Sequence, residues 1–142
     1  MNEKQKEKIL SLFKRNEFGV LATNSESGSP ESAVMAFSET DDLCIVFGSF
    51  KDTRKNKNIA KDPHVSVVIG YENSTSVQFE GVATAVEGGE REILEEAHCQ
   101  KNDGSQMFRN DLRQEYFKVV PTWIRYSNFS VDPQEVWEID FK

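Results

Sequence analysis

Three apolar runs, "FGVLATN" (18–24), "ESAVMAFS" (31–38) and "LCIVFG" (43–48), are separated only by "SESGSP" (25–30) and "ETDD" (39–42). Links this short join strands as antiparallel neighbours, because a parallel pair needs a crossover of a dozen residues or more. The segment therefore predicts an antiparallel meander. Its second and third strands are apolar on both faces along their middles, from Ala33 to Phe37 and from Leu43 to Phe47. An antiparallel strand with one wet face should alternate. Both faces are thus expected to be covered, by a core on one side and by a partner subunit or a ligand on the other.

The rest of the chain continues this pattern. Residues 2–16 carry Ile9, Leu12 and Phe13 at helical spacing. "VSVVIG" (65–70) and "SVQFEGVATAVE" (76–87) read as strands, with Gly81 marking a bulge or a close backbone approach. Residues 89–101 read as a short amphipathic helix with Ile93, Leu94 and Ala97 inward, and Glu92, Glu95 and Glu96 on a solvated face. A strand-rich stretch at 115–129 is interrupted at Pro121, and "VWEIDF" (136–141) alternates, with Trp137, Ile139 and Phe141 on one face. Six or more strands with two or three helices and no βαβ rhythm predict a mainly β (α+β) fold, a closed or nearly closed antiparallel barrel with a few short flanking helices. With no repeat or linker in view, residues 1–142 are expected to form a single domain.

Several function classes fall away. No apolar run reaches the ~18–20 residues that span a membrane, and the N-terminus lacks the apolar stretch of a signal peptide. With a pI near 4.9, the chain is not expected to bind nucleic acid, which needs an extended basic surface. Cys44 and Cys99 are expected to be reduced thiols in a cytoplasmic protein. His64 and His98 have no metal-ligand spacing, and no Walker loop, Rossmann fingerprint or Ser-His-Asp order is present. Trp123 and Trp137 are read as packing residues.

One segment stands against the net charge of −7: residues 51–61 hold Lys51, Arg54, Lys55, Lys57 and Lys61 with only Asp52 as an acid. Asp52 or Thr53 can cap a helix over 53–61, and Pro63 ends it. Thr53, Arg54 and Lys55 then fall in the first turn, where free N–H groups and the helix dipole favour an anion. Ile59 must face inward, which places Lys55, one turn earlier, on the barrel side. A solvated basic helix and a small-anion site, such as one for a phosphate, both fit this spacing.

The order of these pieces, a meander followed by "GS…TRK…NIAKDPHVSVVIGY" and "VQFEGVA", resembles the FMN-binding split β-barrel family. That family includes pyridoxamine 5′-phosphate oxidase and the general-stress flavoproteins, and the likeness runs from about Phe18 to Phe141. The resemblance implies a split barrel in which Thr53, Arg54 and Lys55 hold the FMN phosphate. It further implies that Ser49 supplies a hydroxyl near the flavin, that the backbone of Ala33, Val34 and Met35 meets its ring, and that Ser76 reaches it from the long strand. It also implies a homodimer with cofactor sites at the interface, and a small-molecule substrate bordered by Trp123 and Arg125. No catalytic acid or base can be named. The oxidase's charged residues at the ends of the second strand stand here as Ala33 and Ser38, and its Phe-Arg-x-His pattern as Ile124, Arg125, Tyr126 and Ser127. Oxidation of pyridoxamine 5′-phosphate itself is therefore not expected. The implied activity is FMN-dependent oxidoreduction. The alternative is a non-catalytic flavin, deazaflavin or haem binding protein acting as a sensor or store.

Overall fold

A computed structural model of the chain describes residues 1–141. Eight antiparallel strands form the sheet: β1 Phe18–Asn24, β2 Pro30–Ala36, β3 Ser38–Glu39, β4 Ile45–Phe50, β5 His64–Gly70, β6 Thr75–Val86, β7 Gln114–Asn128 and β8 Glu135–Asp140. The helices are α1 Glu3–Arg15, α2 Arg54–Lys61 and α3 Gly88–Lys101. Along the sheet the order is β2-β1-β5-β6-β7-β4-β3. The long β7 also changes partner: its first half pairs with β4 and its second half with β8.

The two ends of this order, β2 and β3, are consecutive in the chain, so the sheet curls until its edges meet around Phe37. There the expected meander fails. β2 does not pair with β4; the chain bends at the fully buried Phe37, and only the two residues of β3 pair with β4. Phe37 donates its N–H to the Glu17 carbonyl instead (3.1 Å). The barrel is thereby split between β2 and β4.

The core is an aromatic and aliphatic cluster inside the curl. α1 closes one end with Ile9, Leu12 and Phe13, all at most 1% exposed. Phe13 meets Phe37 edge-on at 6.0 Å and Phe79 at 6.4 Å. A capping box starts α1: Asn2 Oδ1 accepts from the Gln5 N–H, and Gln5 Oε1 accepts from the Asn2 N–H. The split itself is braced by Lys101 on α3. Its ammonium donates to Glu39 Oε1 (2.6 Å) and to the Phe13 carbonyl (2.9 Å), over the Phe37 ring.

Gly81 sits at the expected bulge, where the β6–β7 register slips between Glu80 and Gly81. A Cβ there would lie 2.4 Å from the Val120 carbonyl oxygen, so the two backbones can approach only at glycine.

Two expectations need correction. The doubly apolar β4 is covered on its second face by α3 of the same chain, through Val46, Val86, Tyr116 and Leu94, and not by a partner or a ligand. The phase of α3 also differs. Ile93 and Ala97 face solvent, while Glu95, His98 and Cys99 are buried. Glu95 can be buried because its carboxylate receives Arg91 Nε (3.3 Å) and the Asn110 N–H (3.0 Å). Cys44 and Cys99 are free and buried. Among the described residues, no helix is long and apolar enough to cross a membrane.

Candidate functional site

The split between β2 and β4 opens a cleft of ≈ 260 Å³, and a second hollow of ≈ 300 Å³ adjoins it. Thr53 and Lys55 line both. The N-terminus of α2 therefore stands between the two hollows, fed directly from the end of β4.

Local hydrogen bonds hold that helix start in place. Thr53 is the N-cap, its Oγ1 accepting from the Asn56 N–H (3.4 Å) and donating to the Phe50 carbonyl (2.9 Å). Ser49 Oγ lies 3.1 Å from the same hydroxyl. On the buried face of α2, Asn56 Nδ2 donates to Glu115 Oε1 on β7 (3.2 Å). Asn58 Nδ2 donates to Thr23 Oγ1 on β1 (3.0 Å) and to Glu31 Oε1 on β2 (2.8 Å). Together with Ile59, these two asparagines give α2 its inward face.

The cations of the segment diverge. Arg54 reaches Glu31 at 3.2 Å, spanning the second hollow, and its side chain is 73% exposed. Lys55 turns to the cleft, where no carboxylate among the described residues meets it and burial pushes its ammonium pKa down. A desolvated cation without a counter-charge, beside the positive end of a helix, favours an anion at that point.

The β2 side of the site is Ala33, Val34 and Met35; Val34 and Met35 line the cleft and Ala33 the second hollow. Seven expected residues, Ala33, Val34, Met35, Ser49, Thr53, Arg54 and Lys55, thus gather around the two hollows. Ser76, Trp123 and Arg125 do not. They lie on the outer face of β6 and β7, where Trp123 Nε1 (2.9 Å) and Arg125 (2.7 Å) both donate to Glu138. Those donors, Arg125 first, hold the Glu138 carboxyl below its ordinary range.

The inner wall of the cleft comes from residues not expected there: Gly48, His98, Ser105, Phe108, Gln114 and Tyr116. Gly48 makes room for the Tyr116 ring, since a Cβ would lie 2.9 Å from its Cζ. The His98 ring stands edge-on to Tyr116, with Nδ1 3.1 Å from Ser38 Oγ and Nε2 3.3 Å from Ser105 Oγ. Burial first, then the Lys101 charge, push its pKa down to about 4, so the ring is neutral near pH 7. Burial raises the Tyr116 phenol, whose hydroxyl makes no well-formed hydrogen bond among the described residues and has the Cys99 thiol as a polar neighbour. Gly48 inside an apolar strand was the one sequence signal for this wall; the others come from α3, the loop after it and the start of β7, and carry none.

The family model for pyridoxamine 5′-phosphate oxidase matches residues 5–140. General stress protein 26 of Bacillus subtilis (strain 168) is 34% identical over 73 residues, which is 51% of this chain and 51% of that protein. The match therefore spans about half the length of that relative. Among solved structures, a heme binding protein from Mycobacterium smegmatis superposes with a TM-score of 0.85 at 17% identity, over 99% of this chain and 59% of that one. General Stress Protein 26 from Bacillus anthracis str. Sterne does so with a TM-score of 0.74 at 24% identity, over 95% and 98%. These two likenesses are of fold.

Proposed function

The chain belongs to the pyridoxamine 5′-phosphate oxidase family of split barrels, and on that premise we propose that it is an FMN-binding flavoprotein acting on a small substrate as an oxidoreductase. The observation that carries this reading is Lys55: a half-buried ammonium with no partner among the described residues, at the first turn of α2 and facing the cleft between the parted strands.

The donor set fits a phosphorylated flavin. Lys55 and the free N–H groups of α2 would hold the phosphate as charge-assisted donors. Ser49 and Thr53 supply hydroxyls beside it, and β2 offers a flat edge from Ala33 to Met35. Arg54 is held by Glu31, so it would act as a second cation only after leaving that carboxylate. Bound there, FMN supplies hydride or electron transfer, which no side chain of this chain provides. The chain's own residues would bind, orient and exclude water; none is assigned as an acid or a base.

The reading includes a homodimer. Val34, Val20 and Val68 stand in register across β2, β1 and β5 on the outer face, 69%, 42% and 47% exposed, with Phe18 beside them. A second copy covering this apolar stripe would also approach Ser76, Trp123 and Arg125, which share that face. Likeness to a heme binding protein supports a second reading, a barrel that binds a cofactor without turnover. His98 favours it little as a haem ligand, since both ring nitrogens are already within reach of hydroxyls.

The test is the visible absorption spectrum of the purified protein, followed by titration of the apo form with FMN. Saturable binding with a flavin band is expected, and Lys55→Ala is expected to weaken it by about 1.5–3 kcal/mol. A colourless protein that ignores FMN would end the reading.

A further inference from the structure

Of the described residues that line the two hollows at the start of α2, Glu31 alone carries a carboxylate. An acid is out of place there, because it repels the anion that the helix end and Lys55 favour. Its position is nonetheless fixed. Glu31 Oε1 accepts from Asn58 Nδ2 (2.8 Å), the same amide that donates to Thr23 Oγ1 (3.0 Å), and Asn58 and Thr23 are both buried. Thr23 and Glu31 are in register across β1 and β2, so one amide ties both strands to α2. The other carboxylate oxygen, Oε2, takes Arg54 (3.2 Å). These two side chains differ in freedom: Glu31 is 22% exposed and Arg54 73%. An anion arriving at α2 would therefore move the arginine and not the acid. An ion pair with one partner this exposed is weak, so a phosphate backed by Lys55 and the helix N–H groups can break it.

We propose that Glu31 is a built-in competitor for the phosphate: it holds Arg54 across the second hollow, and a phosphate at the start of α2 must take the guanidinium from it. Glu31 thereby sets the affinity for phosphorylated ligands and leaves untouched the affinity for the same ligand without its phosphate. This rests on the flavoprotein reading for the identity of the ligand, but not for the contest between carboxylate and phosphate. A purely structural strut would behave differently. The Asn58 hydrogen bond needs only an acceptor oxygen, whereas the contest needs the charge. Lys55 stands outside the contest, since no carboxylate among the described residues pairs with it.

Glu31→Gln keeps the oxygen and removes the charge. FMN and riboflavin are titrated into wild type, Glu31→Gln, Arg54→Ala and the double variant, each checked for folding by circular dichroism. Glu31→Gln is expected to bind FMN about fivefold more tightly, with riboflavin affinity unchanged. That gain is expected to shrink when Arg54 is absent, as coupled residues require. Where FMN binds, no gain, a gain shared equally by riboflavin, or a gain of the same size without Arg54 overturns the proposal. The same four proteins are also melted in inorganic phosphate at constant ionic strength, because a bound anion raises the melting temperature whether or not a flavin binds. If FMN binds to none of them, the flavin reading falls. A larger stabilisation of Glu31→Gln by phosphate, dependent on Arg54, would then still uphold the contest, and an equal one in all four would end it.

Discussion

His98 shows how one residue's surroundings decide what it can do. A lone histidine near the end of an acidic helix reads from sequence as inert, and nothing in "EEAHCQK" shows that it is buried. In the fold it is 2% exposed and holds β3 to the loop after α3 through Ser38 and Ser105. Its pKa, lowered from 6.5 to about 4 by burial and the Lys101 charge, links it to stability. The unfolded chain binds the proton more readily, so stability is full above about pH 6.5 and is lost as pH falls toward about 4. The loss is expected to be of the order of 3 kcal/mol. Denaturant unfolding from pH 8 to 4 should show it, and His98→Asn should flatten that slope; an unchanged slope would mean other groups dominate.

At the scale of elements, α2 was legible and α3 was not. The N-cap, the proline stop and the single apolar Ile59 are local signals, and the helix begins and ends where they place it. Thr53→Ala removes the cap as well as the hydroxyl partner of Ser49, and is expected to cost about 1 kcal/mol in chemical denaturation. For α3, hydrophobic spacing turns Ile93 inward, but the buried face is made by Glu95 and His98, and besides Arg91 on the same helix their polar atoms are paired by Asn110 and Ser38, 15 and 60 residues away. Such pairing leaves no periodic trace. Ile93→Lys is accordingly expected to change stability by less than about 0.5 kcal/mol, where a residue buried under α3 would cost several times that. The Val119–Val120 neighbourhood of Gly81 was announced by the glycine itself; the inner wall of the cleft has only Gly48 to mark it, its other residues coming from α3, the loop after it and the start of β7.

For the molecule as a whole, short polar turns and six or more strands without a βαβ rhythm foretold an antiparallel barrel, and the order of motifs foretold its family. They did not foretell where the sheet opens. The bend at Phe37 is set by α1 and Lys101 packing on it, contacts between segments far apart in the chain. Doubly apolar strands likewise have two different causes here: α3 over β4, and an uncovered stripe on β2. If a second copy covers that stripe, Val34→Asp should shift the protein from dimer toward monomer in analytical ultracentrifugation, by desolvating a charge at the contact. A mass unchanged by the substitution would place any interface elsewhere.

The central claim is that the start of α2 waits for a flavin's phosphate. The most direct measurement compares FMN with riboflavin, which lacks only the phosphate, against the wild-type protein and Lys55→Ala. The account predicts that wild type prefers FMN by at least about 1.5 kcal/mol, and that most of this preference disappears in the variant while riboflavin affinity stays the same. Equal affinity of the wild type for the two flavins, or a preference that survives the loss of Lys55, would contradict it.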